Sequence, residues 1–173
     1  MKLLTHVSSS LLMSLWFVSN NDSLEDLGIL FIILVISNYS LDTFGHRWIS
    51  IHGRMIPARN RLHSLLGVTL WGILFGIVFL VKGNIRLFTA VLIAMYIHYL
   101  EDAVTEGGVY LSGKKRRLPI RVSYDNPLVN KFTILLFFGM DIPVLAGLSL
   151  VQLNKTLYST LVIMYSFMAL VYV

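Results

Sequence analysis

The sequence predicts an all-α, polytopic membrane protein: a transmembrane bundle of five or six helices. Three observations carry this expectation. Of 173 residues, 56% are hydrophobic and only 13% are charged, against about 25% charged in an average soluble domain. The mean hydropathy is +0.74. The apolar residues also fall in runs near the length that a bilayer requires, about 20 residues. A soluble fold this small keeps much of its surface exposed and could not hide so much apolar side chain. Composition thus excludes a soluble globular enzyme and a disordered chain. The absence of cysteine excludes a disulfide scaffold, a thiolate metal site and a cysteine nucleophile.

The expected spans follow in order. Leu3–Val18 is short and mixed, and Lys2 precedes it as in a signal peptide. No small-x-small cleavage site follows, so the segment reads as mature structure. Leu24–Leu41 has a strong apolar centre. His63–Val81 is strongly apolar, and Arg86–Val104 is apolar until His98. Phe132–Leu153 is long enough but contains Asp141 and Pro143, and Thr156–Val173 completes the set. No repeat or linker interrupts the chain, so residues 1–173 read as a single membrane domain.

Alternation of six spans puts all but Lys82, Arg86 and Lys155 of the 14 lysines and arginines on one side of the membrane. The positive-inside rule makes that side cytoplasmic. The net charge of +5 therefore reads as topology and contact with anionic lipid, and no nucleic-acid partner is expected.

Four of the five histidines sit near expected helix ends on that side: His6, His46, His63 and His98. His98 and Asp102 are one helical turn apart, as are Asp42 and His46, and such pairs share a helix face. A single His-x-x-x-Asp pair is more often an interfacial hydrogen bond than a ligand pair. Convergence of four separate segments is what points to a metal, because ionisable groups at membrane depth are costly and mark function. The candidate ligands are His6, Asp42, His46, His63, His98 and Asp102. Six ligands suit two metals, or one metal with supporting groups. Imidazole and carboxylate without thiolate suit zinc, with manganese and iron as alternatives. The chemistry of such a site is hydrolysis, with a carboxylate such as Asp102 available as general base.

Arg47, Arg54, Arg59 and Arg61 lie between His46 and His63, and Lys114–Arg117 and Arg121 lie in the next loop on the same side. Guanidinium forks match phosphate, so a phosphoester, on a lipid or otherwise, is the expected substrate. Arg61, two residues from His63, is the first candidate for substrate contact. The competing reading is that these residues only set topology. Glu101 lies about 100° around the helix from Asp102 and is expected to face elsewhere. His52 and Glu106 read as loop residues. Asp141 reads as a helix break satisfied within the bundle, or as part of a polar path.

The run from Tyr96 to Val109, with His98, Asp102, Thr105 and Gly108, resembles the S-H-x-x-x-D-x-x-T-x-x-G motif of the YdjM-type membrane-bound metal-dependent hydrolases. Arg116–Ile120 resembles their R-x-R-x-P segment. His6 resembles their N-terminal histidine, Arg61–Leu66 their R-G-x-T-H-S-L-L, and Gly45–Arg47 their G-H-R. The likeness covers about residues 1–120, and the two further spans, 132–173, carry no known signature. Two departures stand out: Asp42 lacks the second aspartate of the family's P-D-x-D-H element, and His46 and His63 are far apart rather than in one compact motif. The resemblance implies a helical metal site and a phosphoester substrate, with a distant tie to the zinc-dependent phospholipase C and P1 nuclease group. Two other functions suit the same residues: a metal-ion transporter using Asp141, and a non-catalytic membrane adaptor using the basic loops.

Overall fold

The structure, a computed structural model, describes residues 3–19, 21–51, 54–105, 108–111, 114–116 and 126–132. Lys2, His52, Glu106, Arg117, Arg121, Asp141 and Pro143 fall outside them, as does nearly all of the two C-terminal spans; the side chain of Arg54 is likewise not described.

Four helices form the frame: α1 (Leu3–Ser14, continued by a 3-10 turn over Leu15–Phe17), α2 (Leu24–Gly45), α3 (Leu65–Val81) and α4 (Ile85–Ala103). The starts of α2, α3 and α4 have local causes. Ser23 caps α2 by accepting from the Asp26 amide at 3.1 Å. Ser64 caps α3 through the Gly67 amide at 3.0 Å, and Asn84 caps α4 through the Leu87 amide at 3.2 Å. Such caps satisfy amides that have no partner within the helix. Gly83 takes a φ of 72° in the tight turn from α3 to α4, a conformation that glycine adopts without steric cost.

The helices run alternately up and down. At one end Lys82, after α3, meets Glu25 and Asp26 of α2. There too Arg86 of α4 meets Asp22 at 3.0 Å. The opposite end therefore gathers the start of α1, the end of α2, the start of α3 and the end of α4. Between the two ends lies an apolar core that includes Leu11, Leu30, Leu34, Val68, Phe79, Leu87 and Met95.

These elements overturn the expected bundle of five or six spans. Among the described residues, only α2 is long and apolar enough to cross a membrane, and Leu3–Phe17 and Leu65–Val81 are shorter apolar helices. The physical reasons differ by helix. The helical turn of α1 stops early, and its buried serines satisfy their hydroxyls on carbonyls within the helix, as Ser8 does on Leu4 at 2.7 Å and Ser14 on Leu11 at 2.6 Å. That pattern suits a helix enclosed by protein. Helix α4 carries Arg86, Glu101 and Asp102 within its length, too many charges for an apolar span.

Most of the described residues are helical, as expected, and two short hairpins are the one addition to an all-α fold. His46–Ile51 (β1) and Arg54–Arg59 (β2) form an antiparallel hairpin, and Val109–Leu111 (β3) and Lys114–Arg116 (β4) form a second. Both occupy segments that helical periodicity does not reach. They lie at the end of the frame where the histidines collect, and Ser64 bridges to Tyr110 of β3.

Candidate metal centre

The first hairpin explains how His46 and His63, distant in sequence, become neighbours. Asn60, just after β2, donates its backbone amide to the Gly45 carbonyl at 2.8 Å and its side-chain amide to the Phe44 carbonyl at 2.7 Å. These are carbonyls that the end of α2 leaves without helical partners. Asn60 also accepts from the Leu62 amide at 2.8 Å and so starts the 3-10 turn Arg61–His63. That turn lays the imidazole of His63 parallel to that of His46, with ring centroids 4.7 Å apart and planes 10° apart. Gly45 makes the fit possible, because a Cβ there would overlap the His63 ring. Gly45→Ala is therefore expected to displace His63 and lower metal affinity at least tenfold, with the fold retained; equilibrium dialysis against zinc measures it.

A second stacked pair comes from α1 and α4. His6 and His98 lie 3.9 Å apart at 17°. All four rings surround Asp102. Their Nε2 atoms stand 3.3 Å (His6), 3.8 Å (His46), 3.1 Å (His63) and 3.6 Å (His98) from its carboxylate oxygens. Asp42 Oδ1 lies 3.4 Å from His98 Nε2 and 3.6 Å from His46 Nδ1. The structure thus brings together His6, Asp42, His46, His63, His98 and Asp102. They form two overlapping sets, His6–Asp42–His98–Asp102 and Asp42–His46–His63–Asp102, and within each set the ligand atoms lie within 4.8 Å of one another.

The hydrogen bonds around the cluster set the tautomers. Asn38 donates its amide to the Leu34 carbonyl at 2.8 Å and to Ser10 Oγ at 3.1 Å. Its carbonyl oxygen is therefore the atom that faces His98 Nδ1 at 2.8 Å, and Nδ1 must carry the proton. Glu101 Oε2 likewise takes the Nδ1 proton of His6 at 2.7 Å. Both rings then turn Nε2 toward the cluster. His63, outside the helices, is kept neutral mainly by burial, which depresses its pKa to about 4 against the opposing pull of Asp102. Among the described residues, none of the four Nε2 atoms makes a hydrogen bond. Imidazole nitrogens and carboxylate oxygens face one another at 3.1–3.8 Å, an arrangement that a metal cation would complete, as would protons on the imidazoles.

Four residues that sequence reasoning misplaced or did not single out support the cluster. Glu101 reaches α1 instead of facing away. Glu101→Gln should weaken metal binding about 10–100-fold, the usual cost of losing a partner that orients a ligand histidine, with His6→Gln at least as damaging in the same dialysis. Asn38, one turn before Asp42 on α2, carried no signal because a lone asparagine in an apolar helix has many uses. Arg59 is buried and its Nη2 donates to Asp102. Asn130, in a helical stretch over 127–132, accepts from the Thr5 hydroxyl at 2.8 Å and holds the start of α1. Thr105 bonds back to the Asp102 carbonyl at 2.8 Å and ends α4.

Arg61 lies elsewhere. It is exposed and lines an open groove of about 910 Å³ with Leu62, Leu65, Leu66, Leu70 and Leu111. The centre itself reaches solvent at Asp42 and His46, whose side chains are 14% and 16% exposed, whereas those of His6, His63, His98 and Asp102 are fully buried. Comparison with protein-family models, with curated proteins and with solved structures gives no match.

Proposed function

We propose that the chain is a membrane-attached, metal-dependent hydrolase of a phosphoester, with zinc as the metal best suited to its donors. The observation that carries this reading is the convergence of imidazole nitrogens and carboxylate oxygens from separate parts of the chain into two sets, within each of which the ligand atoms lie within 4.8 Å of one another. Charge supports it: the centre gathers three carboxyl groups, Asp42, Asp102 and Glu101, against the one guanidinium of Arg59, a balance that suits a divalent cation. Held by these residues, a metal would supply Lewis acidity, polarising a phosphoryl oxygen and making a bound water more acidic.

The residues divide the remaining work. His6 and His98 belong to one set and His46 and His63 to the other, and Asp42 and Asp102 are common to both. Asp42, the more solvent-accessible of those two carboxylates, lies where water would enter the centre. The open groove beside His63 leads from Arg61 over leucines, a lining suited to an amphiphile with an anionic head and an apolar chain. Kinship with the YdjM-type hydrolases is part of the same proposal.

Membrane attachment rests on the outer surface. Helix α3 exposes Leu65, Leu66, Leu70, Leu74, Ile77 and Val81, and α2 exposes Ile32, Ile36 and Phe44. Exposed apolar residues in such numbers along two helices favour lipid or another protein over water. With the exposed basic residues Arg47, Arg61 and Lys114–Arg116 at the end that holds the histidines, that end is assigned to the cytoplasmic surface. The chain should therefore remain with membranes through alkaline carbonate extraction; release into the supernatant would remove this assignment.

The test of function is metal analysis of detergent-purified protein, coupled to hydrolysis of bis(p-nitrophenyl) phosphate. Bound zinc is expected, with turnover that disappears on chelation and in His98→Ala. Stoichiometric metal without phosphoester hydrolysis would leave a metal site and remove the enzyme, and metal-free protein would remove both.

A further inference from the structure

We propose that Arg59 is the residue of this centre that recognises the anionic phosphoryl group of the substrate. The inference deepens the hydrolase reading and rests on it for the neighbouring metal. Arg59 ends β2 and is paired across the hairpin with His46, the first residue of β1. Residues directly opposed in an antiparallel pair project from the same face. Both side chains accordingly arrive at Asp102, His46 through Nε2 at 3.8 Å and Arg59 through Nη2.

The manner of that contact is what matters. Arg59 is only 3% exposed, and removing a guanidinium from water is costly unless its donors find partners. Asp102 engages Nη2, while Nε and Nη1 are buried and have no hydrogen-bond partner among the described residues. The guanidinium is a planar fork whose two donor edges, Nε with Nη2 and Nη1 with Nη2, share Nη2. Whichever Nη2 hydrogen Asp102 accepts, one complete two-donor edge stays without a partner among the described residues. A residue serving only as counter-charge to Asp102 would gain by gripping both carboxylate oxygens. The unpaired edge instead matches two oxygens of a tetrahedral phosphoryl group beside the metal ligands. Arg61, two residues on, points its charge into solvent and the outer groove, so it does not offer this buried edge.

The experiment is calorimetric titration of inorganic phosphate into the full-length, zinc-loaded protein in detergent. Wild type should bind phosphate. Arg59→Lys, which keeps the charge but lacks the fork, should keep its zinc content and weaken phosphate binding by about tenfold or more. Binding by Arg59→Lys within about twofold of wild type would overturn the proposal and leave Arg59 as a counter-charge. Acetate binding as tight as phosphate in wild type would overturn the phosphoryl assignment, as would no phosphate binding at all. If wild type takes up no zinc, the hydrolase reading falls separately. The same titration of metal-free protein then decides the arginine: binding lost in Arg59→Lys supports the proposal, and binding unchanged or absent rejects it. Should Arg59→Lys fail to fold, ¹⁵N-arginine spectra of wild type replace it. Phosphate must then shift a slowly exchanging Nε–H signal, and an unmoved signal rejects the proposal.

Discussion

Replacing Asp102 with asparagine is expected to abolish metal binding and to cost the fold about 3–5 kcal/mol, the scale for breaking a buried ion pair from one side. Asp102 is fully buried and stands within 3.8 Å of all four imidazoles. It also takes the hydrogen bond of Arg59. An amide in its place removes a negative charge and a metal-ligating oxygen and strands the Arg59 cation. Metal analysis and thermal unfolding of the variant together measure both losses. Wild-type metal content in Asp102→Asn would separate this residue from the centre altogether.

Zinc added to metal-free wild type should raise its unfolding temperature by the largest margin of any ligand. A metal bound only by the folded state stabilises it by about 4 kcal/mol when free metal exceeds the dissociation constant a thousandfold. The ligands come from α1, α2, the hairpin with its turn, and α4, so binding ties distant parts of the chain together and exists only when all are docked. The same addition to His63→Ala or His98→Ala should give a much smaller shift. Equal shifts in all three proteins would place the metal elsewhere.

The positions of the ligands were legible in the sequence because each lies where an apolar run meets polar residues. The i, i+4 spacings of Asp42 with His46 and of His98 with Asp102 carried the rest. What could not be read was the set of partners. Glu101 is one residue from Asp102, and helical geometry turns it away from the cluster; it contributes only because α1 packs against that neighbouring face. Arg59 was one of several arginines in a loop, and only the strand register that opposes it to His46 distinguishes it from Arg61. The span count failed for a related reason. A run of apolar residues records that a segment avoids water, not whether it meets lipid or protein, and the serines of α1 were the sign of protein. The short hairpins left no alternating pattern strong enough to be read beside the helices.

Asn60 fastens the far end of the first hairpin to the last carbonyls of α2, so the excursion from β1 to β2 leaves and returns at one fixed point. Lengthening a stretch whose ends are already clamped adds little closure entropy. A peptide tag or fluorophore-bearing insert between the two strands would therefore ride outside the centre, giving a handle for purification or for reporting ion uptake without touching a ligand.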